Sequence, residues 1–150
     1  GQDIEGLTFL DLYAGSGAVG LEAISRGAKE VAMVEKDPKN AETIRENCQI
    51  LGIDLGEQYW LLEADVFASI KGLAQKGKTF DIVFFDPPFD RNLAKKTLKC
   101  PGVNDILHAH SFLVVQHDPA ERVDVPEHMK FVSERRYGAS QLTILQKVTD

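Results

Sequence analysis

The stretch LDLYAGSGAVG, Leu10 to Gly20, governs how the rest of the chain is read. Its first half is an apolar strand candidate, and its second half spaces Gly15, Gly17 and Gly20 as G-x-G-x-x-G. That pattern marks a strand-to-helix turn whose backbone amides come close to a cofactor. A tight turn also favours glycine for backbone reasons alone, so the loop by itself leaves the ligand open. Asp11, inside the strand, sharpens the question, because a carboxylate there would repel a pyrophosphate.

Outward from this loop, strands and helices alternate. Thr8–Tyr13 reads as a buried strand; a helix then runs from about Gly17 to Arg26, with Ser16 able to cap it and Gly27 ending it. Glu30–Lys36 is a second strand. Asp37 and Pro38 open the next helix as cap and first helical residue. Ala41, Ile44, Cys48 and Leu51 keep helical spacing until Gly52. Gln58–Ala64 is a third strand, Val66–Gln75 a helix, and Phe80–Asp86 a fourth, almost wholly apolar strand. Arg91–Ala109 is helix-like but broken at Pro101-Gly102, and Ser111–His117 is a fifth strand. Around Gly138, KFVSERRYG and SQLTILQKV alternate as an antiparallel hairpin. The expected fold is α/β: a doubly wound, mostly parallel, Rossmann-like seven-stranded sheet with a C-terminal antiparallel hairpin. Residues 1–150 would form one domain. Ligands of such sheets sit beyond the carboxyl ends of the strands, at the switch in strand order.

Four acids fall at those ends: Asp11, Glu35, Asp65 and Asp86. Glu35 lies 20 residues after Gly15, the offset at which a carboxylate takes the hydroxyls of a ribose. An adenosine-containing ligand follows. NAD carries a pyrophosphate, which suits a helix N-terminus free of carboxylates. S-adenosylmethionine instead presents a cationic sulfonium and ammonium, and a pocket bordered by Asp11 and Asp86 favours it. Unlike charges ~4 Å apart attract by a few kcal/mol at intermediate dielectric, enough to choose between the two. Asp65 reads equally as a contact near the adenine and as the cap of the helix that follows.

The second decisive element is FFDPPF, Phe84 to Phe89. Proline lacks an amide proton and fixes φ, so two prolines end the strand in a stiff corner. Asp86 and the Pro87 carbonyl would then point out of the sheet, with Pro88 stiffening the turn. This suits methylation of an exocyclic amine, whose lone pair is otherwise conjugated into its base. Two hydrogen bonds accepted from the NH2 localise that lone pair toward the methyl group, while Phe89 stacks on the extruded base. Alignment then lowers the barrier. The corner serves guanine and adenine amines alike, so the residues alone leave the base open.

DLYAGSGAVGLEAISRGA, VEKD, FDIVFFDPPF and the late RRYGASQLTIL resemble the bacterial 16S ribosomal RNA guanine-N2 methyltransferases of the RsmD type. The resemblance runs along nearly the whole chain in the right order. It implies transfer of a methyl group from S-adenosyl-L-methionine to a guanine of small-subunit ribosomal RNA. It further implies that Asp11, Tyr13, Ala14, Gly15, Ser16, Gly17, Glu35, Lys36, Asp65 and Val66 bind the cofactor. Asp86, Pro87, Pro88 and Phe89 would hold the base, bordered by Asp90–His110. Such relatives usually carry a basic segment ahead of the first strand, whereas seven residues precede it here. The chain as given is therefore expected to bind the cofactor but to methylate RNA poorly or not at all. Gln116 stands where many relatives are expected to have glutamate, and no role follows for it.

Composition narrows the partners. The net charge of −6 argues against a large unaided nucleic-acid footprint. Lys95, Lys96 and Lys99 form one basic cluster and Arg135 with Arg136 another, each also readable as a solvated face. No apolar run approaches the ~20 residues of a membrane span. Cys48 and Cys100 are too few for a disulfide framework and fit a reducing, cytoplasmic setting. The scattered His108, His110, His117 and His128 do not space as a metal site. The expected partner is ribosomal RNA or the small subunit, with no membrane, no metal and a monomer favoured. The competing readings are an adenine-N6 methyltransferase on DNA or RNA, a non-catalytic S-adenosylmethionine-binding domain and, more remotely, an NAD oxidoreductase.

Overall fold

Side chains of a strand point alternately to the two faces of its sheet. Strand β1 (Thr8–Asp11) is buried on both from Phe9 onward, which requires helices on each face. The computed structural model describes residues 4–88 and 92–149 and supplies them. In chain order the elements are β1, α1 (Ala18–Ser25), β2 (Glu30–Val34), α2 (Pro38–Leu51), β3 (Tyr59–Leu62) and α3 (Val66–Gln75). There follow β4 (Phe80–Phe85), α4 (Leu93–Lys99), β5 (Leu107–His117), β6 (Met129–Tyr137) and β7 (Ser140–Lys147). The seven strands form one sheet in the order β3-β2-β1-β4-β5-β7-β6. β1 to β5 are parallel, and β7 runs antiparallel between β5 and β6. This is the doubly wound, mostly parallel architecture expected from the sequence. No helix among the described residues is long and apolar enough to cross a membrane.

The two faces carry separate cores. On one, Leu10, Val83, Phe85, Leu113, Val115 and Leu145 pack with Ile70 of α3 and Leu98 of α4. On the other, Phe9, Val31, Met33 and Phe84 pack with Ala23 of α1 and Ile44 and Cys48 of α2. A large side chain sealed as fully as Phe85 contributes about 2–3 kcal/mol of transfer free energy.

The caps came out unevenly. Asp37 caps α2 through its side chain on the Lys39 amide, and Asp65 caps α3 on that of Ala68 at 3.1 Å. Ser16 does not cap α1. Gly17 takes that position in the left-handed region at φ 87, without a side-chain hydrogen bond, and its amide bonds the Ala14 carbonyl at 2.8 Å. The loop turns too tightly there for the preceding serine to reach the helix.

Strand boundaries also differ. β1 and β2 end at Asp11 and Val34 rather than Tyr13 and Lys36, although single bonds from the Leu12, Ala14 and Glu35 amides continue to neighbouring strands. β5 begins at Leu107, so the tail of the expected Arg91–Ala109 helix is extended. Leu107 pairs with Phe80, and an irregularity follows before Phe112 pairs with Ile82. His110 sits at φ 73 within it, a conformation that hydrophobic periodicity does not reveal.

Candidate active site

The strand order reverses between β1 and β4, so the loops leaving these two strands diverge and open a crevice at their carboxyl ends. A cavity of about 750 Å³ lies there. Its walls include Tyr13 and Gly15 after β1, Glu35 and Lys36 after β2, Asp65 and Val66 after β3, and Asp86, Pro87 and Pro88 after β4. Four successive strand ends thus converge on one space, as their acids led us to expect.

Gly15 and Glu35 organise one side of the cavity. The Gly15 amide donates to Glu35 Oε1 at 2.8 Å, and the Asp37 amide donates to Oε2 at 3.0 Å. A carboxylate held by two backbone amides is fixed in direction before any ligand arrives. At Gly15, with φ 58, a Cβ would meet nothing within 4 Å, so the loop leaves open space on the cavity side. The other two glycines serve packing instead. A Cβ on Gly17 would lie 3.0 Å from Ile44 Cγ1. One on Gly20 would lie 2.6 Å from Met33 Cγ, which sets how closely α1 approaches β2.

Asp11 differs from its expected place. It is only 1% exposed and does not line the cavity. Its register partners are Met33 and Phe84, so alternation turns it to the α1–α2 face beneath the glycine loop. Burial pushes its carboxyl up from 3.8 to about 7, opposed by the Tyr13 amide and reinforced by the nearby charges of Asp86 and Glu35. Its Oδ1 is buried with no hydrogen-bond partner. Ala14, Ser16 and Gly17 likewise do not line the cavity: Ala14 and Gly17 are buried, while Ser16 is exposed.

At the other wall, Asp86 is half-buried, and desolvation raises its carboxyl above the ordinary range. Pro87 is buried and Pro88 exposed, which leaves the corner wedged on one side and open on the other. Phe89 lies outside the described residues, as do Asp90 and Arg91. The Tyr13 hydroxyl meets Thr97 Oγ1 at 2.9 Å, and Thr97 in turn bonds the Leu93 carbonyl at 2.6 Å, tying the β1 loop to α4. Burial raises the Tyr13 phenol and so keeps it protonated.

Sequence reasoning missed Asn40 and Phe67, which also line the cavity. They sit in the first turns of helices whose caps had been recognised, and that placement was the available signal. Leu93, inside the expected border Asp90–His110, lines the cavity too, and Thr97 lies one helical turn from it.

A family model described as Conserved hypothetical protein 95 matches residues 1–146. The ribosomal RNA small subunit methyltransferase D of Haemophilus influenzae is 31% identical over 137 residues, covering 91% of this chain and 70% of its own length. The chain belongs to the ribosomal RNA small subunit methyltransferase D family. The family member of Escherichia coli is 35% identical over 111 residues, which span 73% of this chain and 52% of that protein. A solved Escherichia coli structure described as a methyltransferase, yhhF, superposes with a TM-score of 0.83 at 28% identity. That match covers 98% of this chain and 80% of the other. The glycine loop and the Asp86-Pro87-Pro88 corner lie inside the segment that carries the family match.

Proposed function

We propose that this protein transfers a methyl group from S-adenosyl-L-methionine to the exocyclic N2 amine of a guanine in 16S ribosomal RNA. The observation that carries the reading is the convergence of Glu35 and Asp86, from different strand ends, on one cavity in a chain of this family.

The residues present fit this donor. Among the described residues, acids dominate the charged groups of the cavity wall: Glu35, Asp65 and Asp86 face a single Lys36. Behind them the buried Asp11, with its unpartnered Oδ1, adds negative potential when ionised. A pyrophosphate would meet this arrangement unfavourably. When bound, S-adenosylmethionine supplies a methyl group made electrophilic by its sulfonium. Glu35, Lys36, Asp65 and Val66 would hold its adenosine half.

Asp86 and the Pro87 carbonyl accept hydrogen bonds from the target amine and turn its lone pair toward the methyl group. The new nitrogen–carbon bond forms as the carbon–sulfur bond breaks, and the amine gives up one proton. Asp86, its proton affinity raised by burial, is placed to receive it. The account predicts that Asp86→Ala abolishes transfer while leaving donor affinity within about twofold; retained transfer would remove Asp86 from the mechanism.

The single seven-stranded sheet supports reading residues 1–150 as one methyltransferase domain. The free thiols of Cys48 and Cys100 suit a reducing compartment, and the cytoplasm, where ribosomal RNA is modified, is the proposed setting.

A further inference from the structure

The β6–β7 hairpin returns to the catalytic end of the sheet. β7 runs antiparallel to β5 with His117 opposite Gln141, and Arg136 and Tyr137 of β6 lie opposite Gln141 and Ser140. The hairpin tip therefore stands at the carboxyl end of β5, on the same rim as Asp86 after β4. β6 is three strand steps from β4, which at ~4.8 Å per step is about 14 Å. A base seated at Asp86 would bring its flanking nucleotides within that reach.

The side chains at the tip are free in a way the others are not. Among the described arginines, Arg26 pairs with Glu22, Arg45 with Glu42 and Glu63, and Arg122 with Asp124. Arg135 and Arg136 are exposed and, among the described residues, have no ion pair. Glu134 is the one acid between Met129 and Lys147, and the Gln141 amide occupies it at 2.7 Å. Tyr137, 61% exposed, stands beside them. An acidic protein thus leaves two unneutralised guanidinium forks, one on each face of β6, and an aromatic ring about 14 Å along the rim from β4.

We propose that Arg135 and Arg136 grip the phosphodiester backbone flanking the target nucleotide, and that Tyr137 stacks on a neighbouring unpaired base. The inference rests on the RNA substrate proposed above. Guanidinium forks match phosphate oxygens bidentately, and stacking on an exposed ring tolerates any base.

The test compares the chain with Arg135→Gln/Arg136→Gln, with Tyr137→Ala and with Arg26→Gln, which removes one charge at the opposite end of the sheet. Affinity for a 16S RNA fragment is followed by fluorescence anisotropy against salt, and S-adenosylmethionine binding by calorimetry. The double variant should lose about tenfold in RNA affinity near physiological salt and flatten the slope of log K against log salt by about 1.5. Tyr137→Ala should lose affinity with the slope kept, and Arg26→Gln should match the parent. Arg135→Lys/Arg136→Lys should recover the slope but only part of the affinity. Donor binding should be equal in all. If the parent binds RNA and the double variant retains the parent's affinity and slope, the hairpin assignment is wrong and the function proposed above stands. If the parent binds the 16S fragment no more tightly than an RNA of unrelated sequence and equal length, the substrate proposed above falls, while the slopes of the variants still decide the hairpin assignment.

Discussion

The Glu35 carboxylate accepts the Gly15 amide at 2.8 Å, joining the loop after β1 to the end of β2 across the mouth of the site. One hydrogen bond thus holds the glycine loop and Glu35 in register. Glu35→Ala would strand the Gly15 and Asp37 amides as well as remove the proposed ribose acceptor. Charge-assisted bonds of this kind are worth about 1.5–3 kcal/mol, so donor affinity should fall by about tenfold to a hundredfold. Calorimetry measures this directly, and an unchanged Kd would take Glu35 out of the cofactor site.

Gly20→Ala should destabilise the fold even though alanine is the better helix former. The added Cβ would fall 2.6 Å from Met33 Cγ and 2.7 Å from Met33 Sδ, and Met33 is fully buried. Overpacking of this kind costs about 1–3 kcal/mol. In a Met33→Ala background the penalty should vanish, so a double-mutant cycle by denaturant unfolding isolates it. Equal cost in both backgrounds would place the strain elsewhere.

Asp11 gives the stability of the protein a pH signature. Its carboxyl is raised from 3.8 to about 7, so the native state binds the extra proton between those values. The stability due to this group is full below about 3.8, falls as pH rises, and is lost by about 7, amounting to at most about 4 kcal/mol. Asp11→Asn should remove that slope from a plot of Tm against pH; a parallel curve for the variant would contradict the assignment.

The same group should sense the donor through the glycine loop. A cation bound in the cavity above that loop would favour the ionised form of Asp11, so donor binding should release protons below pH 7 and tighten as pH approaches that value. Calorimetry in buffers of different ionisation enthalpy counts those protons. Asp11→Asn should abolish the release, and release that survives in the variant would assign it to another group.

The sequence revealed what is local and lost what is long-range. Asp37 and Asp65 were legible as caps because capping is settled within four residues. The four acids were legible because each follows an apolar run. Ser16 failed as a cap because Gly17 adopts a left-handed conformation that its neighbours do not announce. The face chosen by Asp11 depends on pairing with Met33 and Phe84, residues 22 and 73 positions away, and no local pattern encodes it. The placement of β7 inside the sheet was half legible. Its buried alternation suits an inner strand, while β6, exposed at most positions and rich in charge, suits an edge.

Labelled methyl transfer to small ribosomal subunits that lack modification, followed by digestion to nucleosides, tests the central claim most directly. Label in N2-methylguanosine, lost with Asp86→Ala, is the expected result. Label in N6-methyladenosine, or label in N2-methylguanosine that survives Asp86→Ala, would contradict the account.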